Sequence, residues 1–201
     1  MRIMLLFIVC LFFSCRGEKR YEDLNLTDYQ KQVNNFFKDA STSPLKPRDL
    51  KNFKGLDFFE FDSSYVVYAK IQETPYSLPF KMKTTTDTPA DFRKYGVLTF
   101  NLNDEQYTLT AYENLDYLDV EGYENYLFLP FLDQTNGYET YGGGRYIDLY
   151  QYDNDSILID FNRAYNPQCV YDENFSCPIV PRNNLLNIRV EAGVKNFVSS
   201  Y

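Results

Sequence analysis

Nine short β-type segments follow one another after residue 56, and they constrain the fold more than any other feature of the chain. They are rich in aromatic and β-branched residues, and turn formers such as Asn, Asp and Gly separate them. They span residues 57–62, 64–72, 76–86, 95–103, 105–113, 126–133, 145–151, 156–161 and 184–192. Because no long helical pattern interrupts them, the sequence predicts a mainly β fold, an antiparallel barrel or sandwich of about 8–10 strands.

A helical pattern precedes these segments. Apolar residues recur at helical spacing over residues 26–40, and Thr27 or Asp28 can cap the first turn. Pro44 and Pro47 end that pattern, and residues 50–55 predict one more turn, closed by Gly55. We therefore expect an N-terminal helix and a single β domain over residues 26–201, a length suited to one domain.

The first 25 residues have the layout of an export signal. Arg2 precedes an apolar run at residues 3–13, which is shorter than the roughly 20 residues that a membrane span needs. Ser14 and Cys15 then resemble a bacterial lipobox, which implies that a lipid is attached to Cys15. We expect a signal peptide at 1–14, a lipid-anchored tether at 15–25, and a membrane-anchored protein exported to the bacterial cell envelope. A plain signal peptide with an incidental cysteine is the alternative.

Composition narrows the chemistry. The chain has no histidine, which excludes Ser-His-Asp and Cys-His catalysis and removes the commonest zinc ligand. Any acid–base chemistry falls to Asp, Glu, Lys, Tyr or Cys. The net charge is −8, so no nucleic-acid partner is expected. We predict no metal and no cofactor.

Two cysteines remain after the signal peptide. Cys169 and Cys177 lie close together in the sequence, and in an exported, oxidising compartment such a pair predicts a disulfide. A two-thiolate metal site is the alternative, although it needs further ligands.

Three consecutive glycines, Gly142, Gly143 and Gly144, precede Arg145. They match neither a dinucleotide fingerprint nor a P-loop. One interpretation is a strand corner, with Arg145 paired to a carboxylate in the core. The other is a concavity of backbone N–H groups beside a guanidinium, suited to a carboxylate or phosphate ligand.

A second polar cluster follows a strand at Asp160, Asn162, Tyr165 and Asn166. Such residues favour turns, but a polar strand-to-loop junction also suits a binding pocket. Glu139 and Asp148 flank the glycines and are candidates for an acid/base pair. The many tyrosines offer a further option, stacking on sugars.

Residues 127–149 and 160–195, together with 43–62, resemble the domain of unknown function 1684 (DUF1684) family. The likeness extends from about residue 29 to residue 195, and the export signal resembles that of lipoprotein-type bacterial members. The family's ETYGGGRY and DFN.AYNP.C blocks are matched here, but Val194 stands where the family usually has glutamate. The resemblance implies no activity. It marks Glu139, Thr140, Tyr141, Gly142, Gly143, Gly144, Arg145, Tyr146, Asp148, Asp160, Phe161, Asn162, Ala164, Tyr165, Asn166, Pro167, Cys169, Cys177 and Pro178.

These observations predict a lipid-anchored binding domain for a small anionic or polar ligand. Its site would combine the three glycines and Arg145 with the segment from Asp160 to Asn166. A histidine-free hydrolase that uses Glu139, Asp148 or Asp160 with Tyr165 is one alternative. A purely structural lipoprotein is the other.

Overall fold

A computed structural model describes residues 27–151 and 156–199 of the chain. The predicted signal peptide, the tether and Cys15 lie outside the described residues. Within the described ranges, no helix combines the length and the apolar character that crossing a bilayer requires.

Two helices open the described part of the chain. Helix α1 covers Asp28–Lys38, and Thr27 caps it as predicted. The Thr27 hydroxyl accepts the Gln30 N–H, and the Gln30 side chain accepts the Thr27 N–H, which forms a capping box. Helix α2 covers Pro47–Asn52. Pro47 begins this helix instead of preventing it, because the first turn does not use its missing N–H, and Phe53 rather than Gly55 caps its end.

Seven antiparallel strands follow, which confirms the predicted mainly β class. They are β1 (Val66–Glu73), β2 (Phe80–Met82), β3 (Ala90–Leu102), β4 (Glu105–Asn114), β5 (Tyr126–Phe131), β6 (Arg145–Tyr150) and β7 (Ser156–Asp160). Strands β3 and β4 form a long hairpin, and its turn places Asn103 and Asp104 at positive φ. Asn and Asp are among the residues that best tolerate this geometry.

The strands form one curled sheet in the order β6-β5-β4-β3-β1-β7, with β2 paired to β3. The two edges come together where Tyr165, shortly after β7, bridges Tyr146 of β6. Each of these residues donates its N–H to the other's carbonyl at 2.9 Å. The bridge brings the two polar blocks of the sequence side by side.

Two of the nine predicted segments are irregular in the structure. Residues 57–62 and 184–192 make only isolated bridges, Phe58 to Val194 and Leu132 to Leu185. Segment 184–192 looks like a strand because Leu186, Val190 and Ala192 are buried in the main core. Its burial pattern is therefore that of a strand, but its backbone forms only an isolated bridge and is not hydrogen-bonded along a neighbouring strand.

The sheet buries apolar residues on both faces. The main core lies on the face that carries Leu109, Leu129, Ile147 and Ile159. Successive residues of a strand point to opposite faces, and a smaller cluster on the other face includes Phe92, Tyr112, Phe128, Tyr146 and Val180. The candidate site lies beside this smaller cluster.

Candidate functional site

An open cleft of about 550 Å³ lies on the face of β5 and β6 that is opposite the main core. Tyr126 pairs with Tyr150, and Phe128 with Asp148, so alternating residues of the two strands form its floor. Polar residues from neighbouring loops complete the wall. The full lining comprises Thr84, Thr88, Pro89, Ala90, Phe92, Asn114, Asp116, Tyr117, Tyr123, Tyr126, Phe128, Tyr146, Asp148, Tyr150, Tyr165, Gln168, Ser176, Cys177 and Pro178.

Asp148 is the carboxylate at the centre of this floor. Its Oδ1 atom accepts hydrogen bonds from the hydroxyls of Tyr126 at 2.9 Å and Tyr165 at 2.6 Å. Its Oδ2 atom accepts none from the described residues. The residue is exposed. Asp148 is thus held in place through one oxygen, while the other can accept a hydrogen bond from a molecule in the cleft.

The tyrosines around Asp148 remain neutral donors. Burial raises the pKa of Tyr126 and of Tyr165 far above the ordinary value, and the negative charge of Asp148 raises both pKa values further. Burial also raises the pKa of Tyr146, whose hydroxyl donates to the Pro178 carbonyl. These phenols cannot serve as bases near neutral pH, and the hydroxyls of Tyr126 and Tyr165 orient the carboxylate.

The cleft is aromatic and negatively charged. Tyr123 contacts Tyr117 and Tyr126, with ring centroids 4.7 and 5.3 Å apart, and Tyr126 lies 5.8 Å from Tyr150. Asp116 and Asp148 line the cleft, whereas its described lining includes no Lys or Arg. Such a surface stacks against apolar faces, accepts hydrogen bonds and repels anions.

Arg145 does not face this cleft, although it was predicted as a ligand-binding residue. Its side chain is 0% exposed, and it lies on the core face of β6. One guanidinium nitrogen donates to Asp133 at 2.9 Å and to the Val190 carbonyl at 2.8 Å, and the other donates to the Ala192 carbonyl. The structure therefore has Arg145 paired with a core carboxylate, the first of the two interpretations above.

The Asp133 carboxylate is itself fully occupied. Its Oδ1 accepts hydrogen bonds from the Thr135 N–H at 2.8 Å, the Thr135 hydroxyl at 2.6 Å and the Val190 N–H at 3.2 Å. Burial lowers the pKa of Arg145, and the Asp133 charge acts in the opposite direction. This network ties the segments before and after the glycines to the C-terminal segment.

The glycine run makes the corner that leads into β6. Gly144 has φ +92°, and a Cβ atom there would lie 2.6 Å from the Phe131 carbonyl oxygen. Its N–H closes a turn onto the Tyr141 carbonyl at 3.1 Å. Gly142 and Gly143 are exposed. The corner directs Arg145 into the core and, three residues later, Asp148 into the cleft.

Most of the second predicted cluster holds loops together. Asp160 caps a short 3-10 turn by accepting the Asn162 N–H at 3.0 Å. Asn162 exchanges two hydrogen bonds with the backbone of Asp62, at 2.9 and 3.0 Å. Asn166 donates to the Lys195 carbonyl at 2.9 Å. Of these candidates, only Tyr165 lines the cleft.

The carboxylates considered for a hydrolase are not brought together there. Glu139 pairs with Arg189 at 2.6 Å, and Asp160 serves as the cap described above. Of the three carboxylates considered, only Asp148 lines the cleft. The second carboxylate of the cleft is Asp116, which the sequence reasoning did not single out.

The sequence indicated tyrosine stacking on sugars as an option but did not locate the aromatic wall. A signal for it exists, because the triplet Tyr-Glu-Asn occurs at residues 112–114 and again at 123–125. Asn114 and Tyr123, one residue from each copy, line the cleft, as do Tyr117 and Tyr126 just after them. A repeated short motif in two neighbouring segments was the available clue.

The two cysteines are free thiols in the structure, so the predicted disulfide is not formed in it. They are nevertheless adjacent, because the Cys169 N–H donates to the Cys177 sulfur at 3.1 Å. No group of three or more Cys, Asp or Glu side chains among the described residues is arranged to hold a metal ion.

Comparisons with known proteins identify the family. The family described as "Protein of unknown function (DUF1684)" matches residues 51–195. The solution NMR structure of an uncharacterised protein from Haloarcula marismortui is 32% identical and has a TM-score of 0.65, over 83% of this chain and 89% of that one. No curated protein matches. The match over residues 51–195, on the fold described above, shows that the chain belongs to the DUF1684 family of proteins of unknown function.

Proposed function

We propose that this chain is a lipid-anchored envelope protein whose β domain binds a small polar ligand in the aromatic cleft. The proposal keeps the binding role expected from the sequence but changes the site and the charge of the ligand. Asp148 takes the central role that was expected for Arg145, and an anionic ligand is disfavoured.

The observation that carries the proposal is the state of Asp148. Two tyrosine hydroxyls orient its Oδ1, while Oδ2 has no donor among the described residues, and the residue lines the cleft. A carboxylate that is held in place, and of which only one oxygen accepts hydrogen bonds from the protein, is a suitable acceptor for a ligand N–H or O–H group.

The rest of the cleft narrows the ligand class. Aromatic rings favour a flat apolar face or a cation, and amide and hydroxyl groups at Asn114, Gln168 and Ser176 offer further hydrogen bonds. Asp116 and Asp148 oppose a negative charge. The ligand therefore carries hydroxyl or ammonium donors, together with a carbon skeleton that stacks on tyrosine.

Saturation-transfer NMR with three probes tests this proposal. Choline supplies a quaternary ammonium cation for the aromatic rings together with one hydroxyl donor, methyl α-D-glucopyranoside supplies several hydroxyls, and citrate supplies negative charge. We expect the wild-type protein to give a signal with choline or with the glucoside at millimolar concentration, and none with citrate. Asp148→Asn should lose most of that signal.

The matched control is Asp104→Asn, which also removes one carboxylate. Asp104 lies in the β3–β4 turn, at the opposite end of the hairpin from Asn114. Its variant should retain the signal. A citrate signal as strong as the others, an Asp148→Asn variant that binds normally, or silence with all three probes would each contradict the proposed cleft function.

The lipid anchor has its own test. It rests on Arg2, the apolar run that follows and the Ser14-Cys15 junction. In a bacterial host, Cys15→Ser should move the protein from the membrane fraction to the soluble fraction, whereas Cys10→Ser should leave it in the membrane. Membrane retention of the Cys15→Ser protein would overturn the anchor.

A further inference from the structure

We infer that Cys169 and Cys177 form a peroxide-reactive thiol pair, in which Cys169 is oxidised first and Cys177 then closes a disulfide. The pair lies at the edge of the cleft, since Cys177 and Gln168 both line it. This inference goes beyond ligand binding and does not depend on it; it requires that the pair is reduced, as it is in the structure.

The geometry provides both thiols that the reaction needs. The Cys169 N–H donates to the Cys177 sulfur at 3.1 Å, which places the two residues side by side. Cys169 is partly exposed and Cys177 is buried. A peroxide from solvent can therefore reach Cys169 more easily, while Cys177 is already in place to react with the product.

Neighbouring groups favour the thiolate of Cys169. Hydrogen bonding from the adjacent Cys177 thiol lowers the pKa of Cys169, and the Tyr141 hydroxyl acts in the same direction. The Thr85 hydroxyl accepts the Cys177 N–H at 3.1 Å and donates to the Phe175 carbonyl at 3.2 Å, which fixes the backbone beside the pair. The thiolate, not the thiol, is the form that attacks peroxide.

The glycine run contributes to this site. A Cβ atom on Gly143 would lie 2.4 Å from the Tyr141 ring. Glycine at position 143 thus leaves room for the Tyr141 ring, whose hydroxyl lowers the pKa of Cys169. The ETYGGGRY block shapes the thiol pair as well as the corner into β6.

The reaction balances with hydrogen peroxide as the oxidant. The Cys169 thiolate attacks one peroxide oxygen, the S–O bond forms, the O–O bond breaks, and the departing hydroxide takes a proton to become water. The Cys177 sulfur then attacks the Cys169 sulfenic acid. An S–S bond forms, the S–O bond breaks, and a second water molecule leaves with the Cys177 proton. Two electrons pass from the thiols to the peroxide.

Peptide mass spectrometry of the full-length protein tests the inference. Both cysteines fall in one tryptic peptide, residues 164–182, while Cys10 and Cys15 fall in another. After brief treatment with equimolar hydrogen peroxide, peptide 164–182 should lose the mass of two hydrogen atoms, and dithiothreitol should restore it. In Cys177→Ser, dimedone should label Cys169, because the sulfenic acid has no partner thiol.

Two further variants separate this mechanism from general oxidation. In Cys169→Ser, labelling of Cys177 should be at least about tenfold slower, because peroxide reaches a buried thiol poorly. Tyr141→Phe should slow the oxidation of Cys169 several-fold without unfolding the protein, as near-ultraviolet circular dichroism would verify.

Three results would overturn the inference. The first is a peptide that stays reduced under excess peroxide. The second is a preference for oxidation at Cys177. The third is a disulfide that is present from the start and resists dithiothreitol, which would instead mark the structural bond expected from the sequence.

Discussion

The two sides of strand β6 use charged residues in opposite ways. Arg145 lies on the core side, fully buried, with Asp133 and backbone carbonyls around its guanidinium. Asp148, three residues further along, lines the cleft, where two tyrosine hydroxyls donate to one of its oxygens and no described residue donates to the other. Both residues belong to the same short polar block.

This difference teaches how to interpret polar residues in such a block. A buried charge must be paired and hydrogen-bonded within the protein, so little of it remains for a ligand. An exposed charge that is oriented but only partly engaged keeps its capacity to bind. Arg145 therefore supports the fold, and Asp148 is the better candidate for the site.

The largest expected effect comes from removing the buried ion pair between Arg145 and Asp133 on the core side of β6. Arg145→Met leaves Asp133 as a buried charge without a partner, and breaking such pairs costs about 3–5 kcal/mol. We expect a loss of that size in the free energy of unfolding, measured by urea denaturation. The double variant Arg145→Met/Asp133→Leu should recover part of the loss, because it also removes the unpaired charge. A single variant as stable as the wild type would contradict the buried pair.

The glycine corner that leads into β6 gives the next largest effect. Gly144→Ala places a Cβ atom against the Phe131 carbonyl at positive φ, which should cost at least about 2 kcal/mol of unfolding free energy. Gly142→Ala is the matched control, because its nearest contact would be at 3.7 Å. Its stability in thermal unfolding should stay within about 0.5 kcal/mol of the wild type. Equal losses in both variants would show that the corner is not tight.

Alkaline pH should act on the cleft side. Tyrosine in the unfolded chain ionises near about pH 10, whereas the pKa of Tyr165 is raised well above that value in the folded protein. The folded state thus keeps a proton that the unfolded state loses, and stability falls as the pH rises above about 10. Tyr165→Phe should make that fall shallower by about 1.4 kcal/mol per pH unit. Urea unfolding at a series of pH values measures the slope, and identical slopes would contradict the raised pKa.

Sequence reasoning predicted the fold better than the site. Short runs of alternating or β-branched and aromatic residues identified all seven strands, because each strand buries apolar side chains. It also marked segment 184–192, whose Leu186 and Val190 are buried without a strand partner. The burial of side chains leaves a periodic pattern in the sequence, whereas backbone hydrogen bonding to a neighbouring strand does not.

The site was harder to predict because it depends on contacts between distant residues. The sequence cannot show which side of β6 Arg145 occupies, since that follows from the corner at Gly144. Nor can it show that Tyr165 closes the sheet against Tyr146 and so reaches Asp148. Tyr165 and Asp148 were both among the predicted candidates, but the partnership between them emerges only from the fold.

The most direct test of the difference between the two sides of β6 is the free energy of unfolding of Asp148→Asn, measured beside that of Arg145→Met. Asparagine keeps an oxygen that Tyr126 and Tyr165 can donate to, and the position is exposed, so the loss in unfolding free energy should be about 1 kcal/mol or less. Such a result, with the large loss at Arg145, would separate a residue that supports the fold from one that is available to a ligand. A loss at Asp148 as large as the loss at Arg145 would show that both sides of β6 are structural, and it would contradict the central claim.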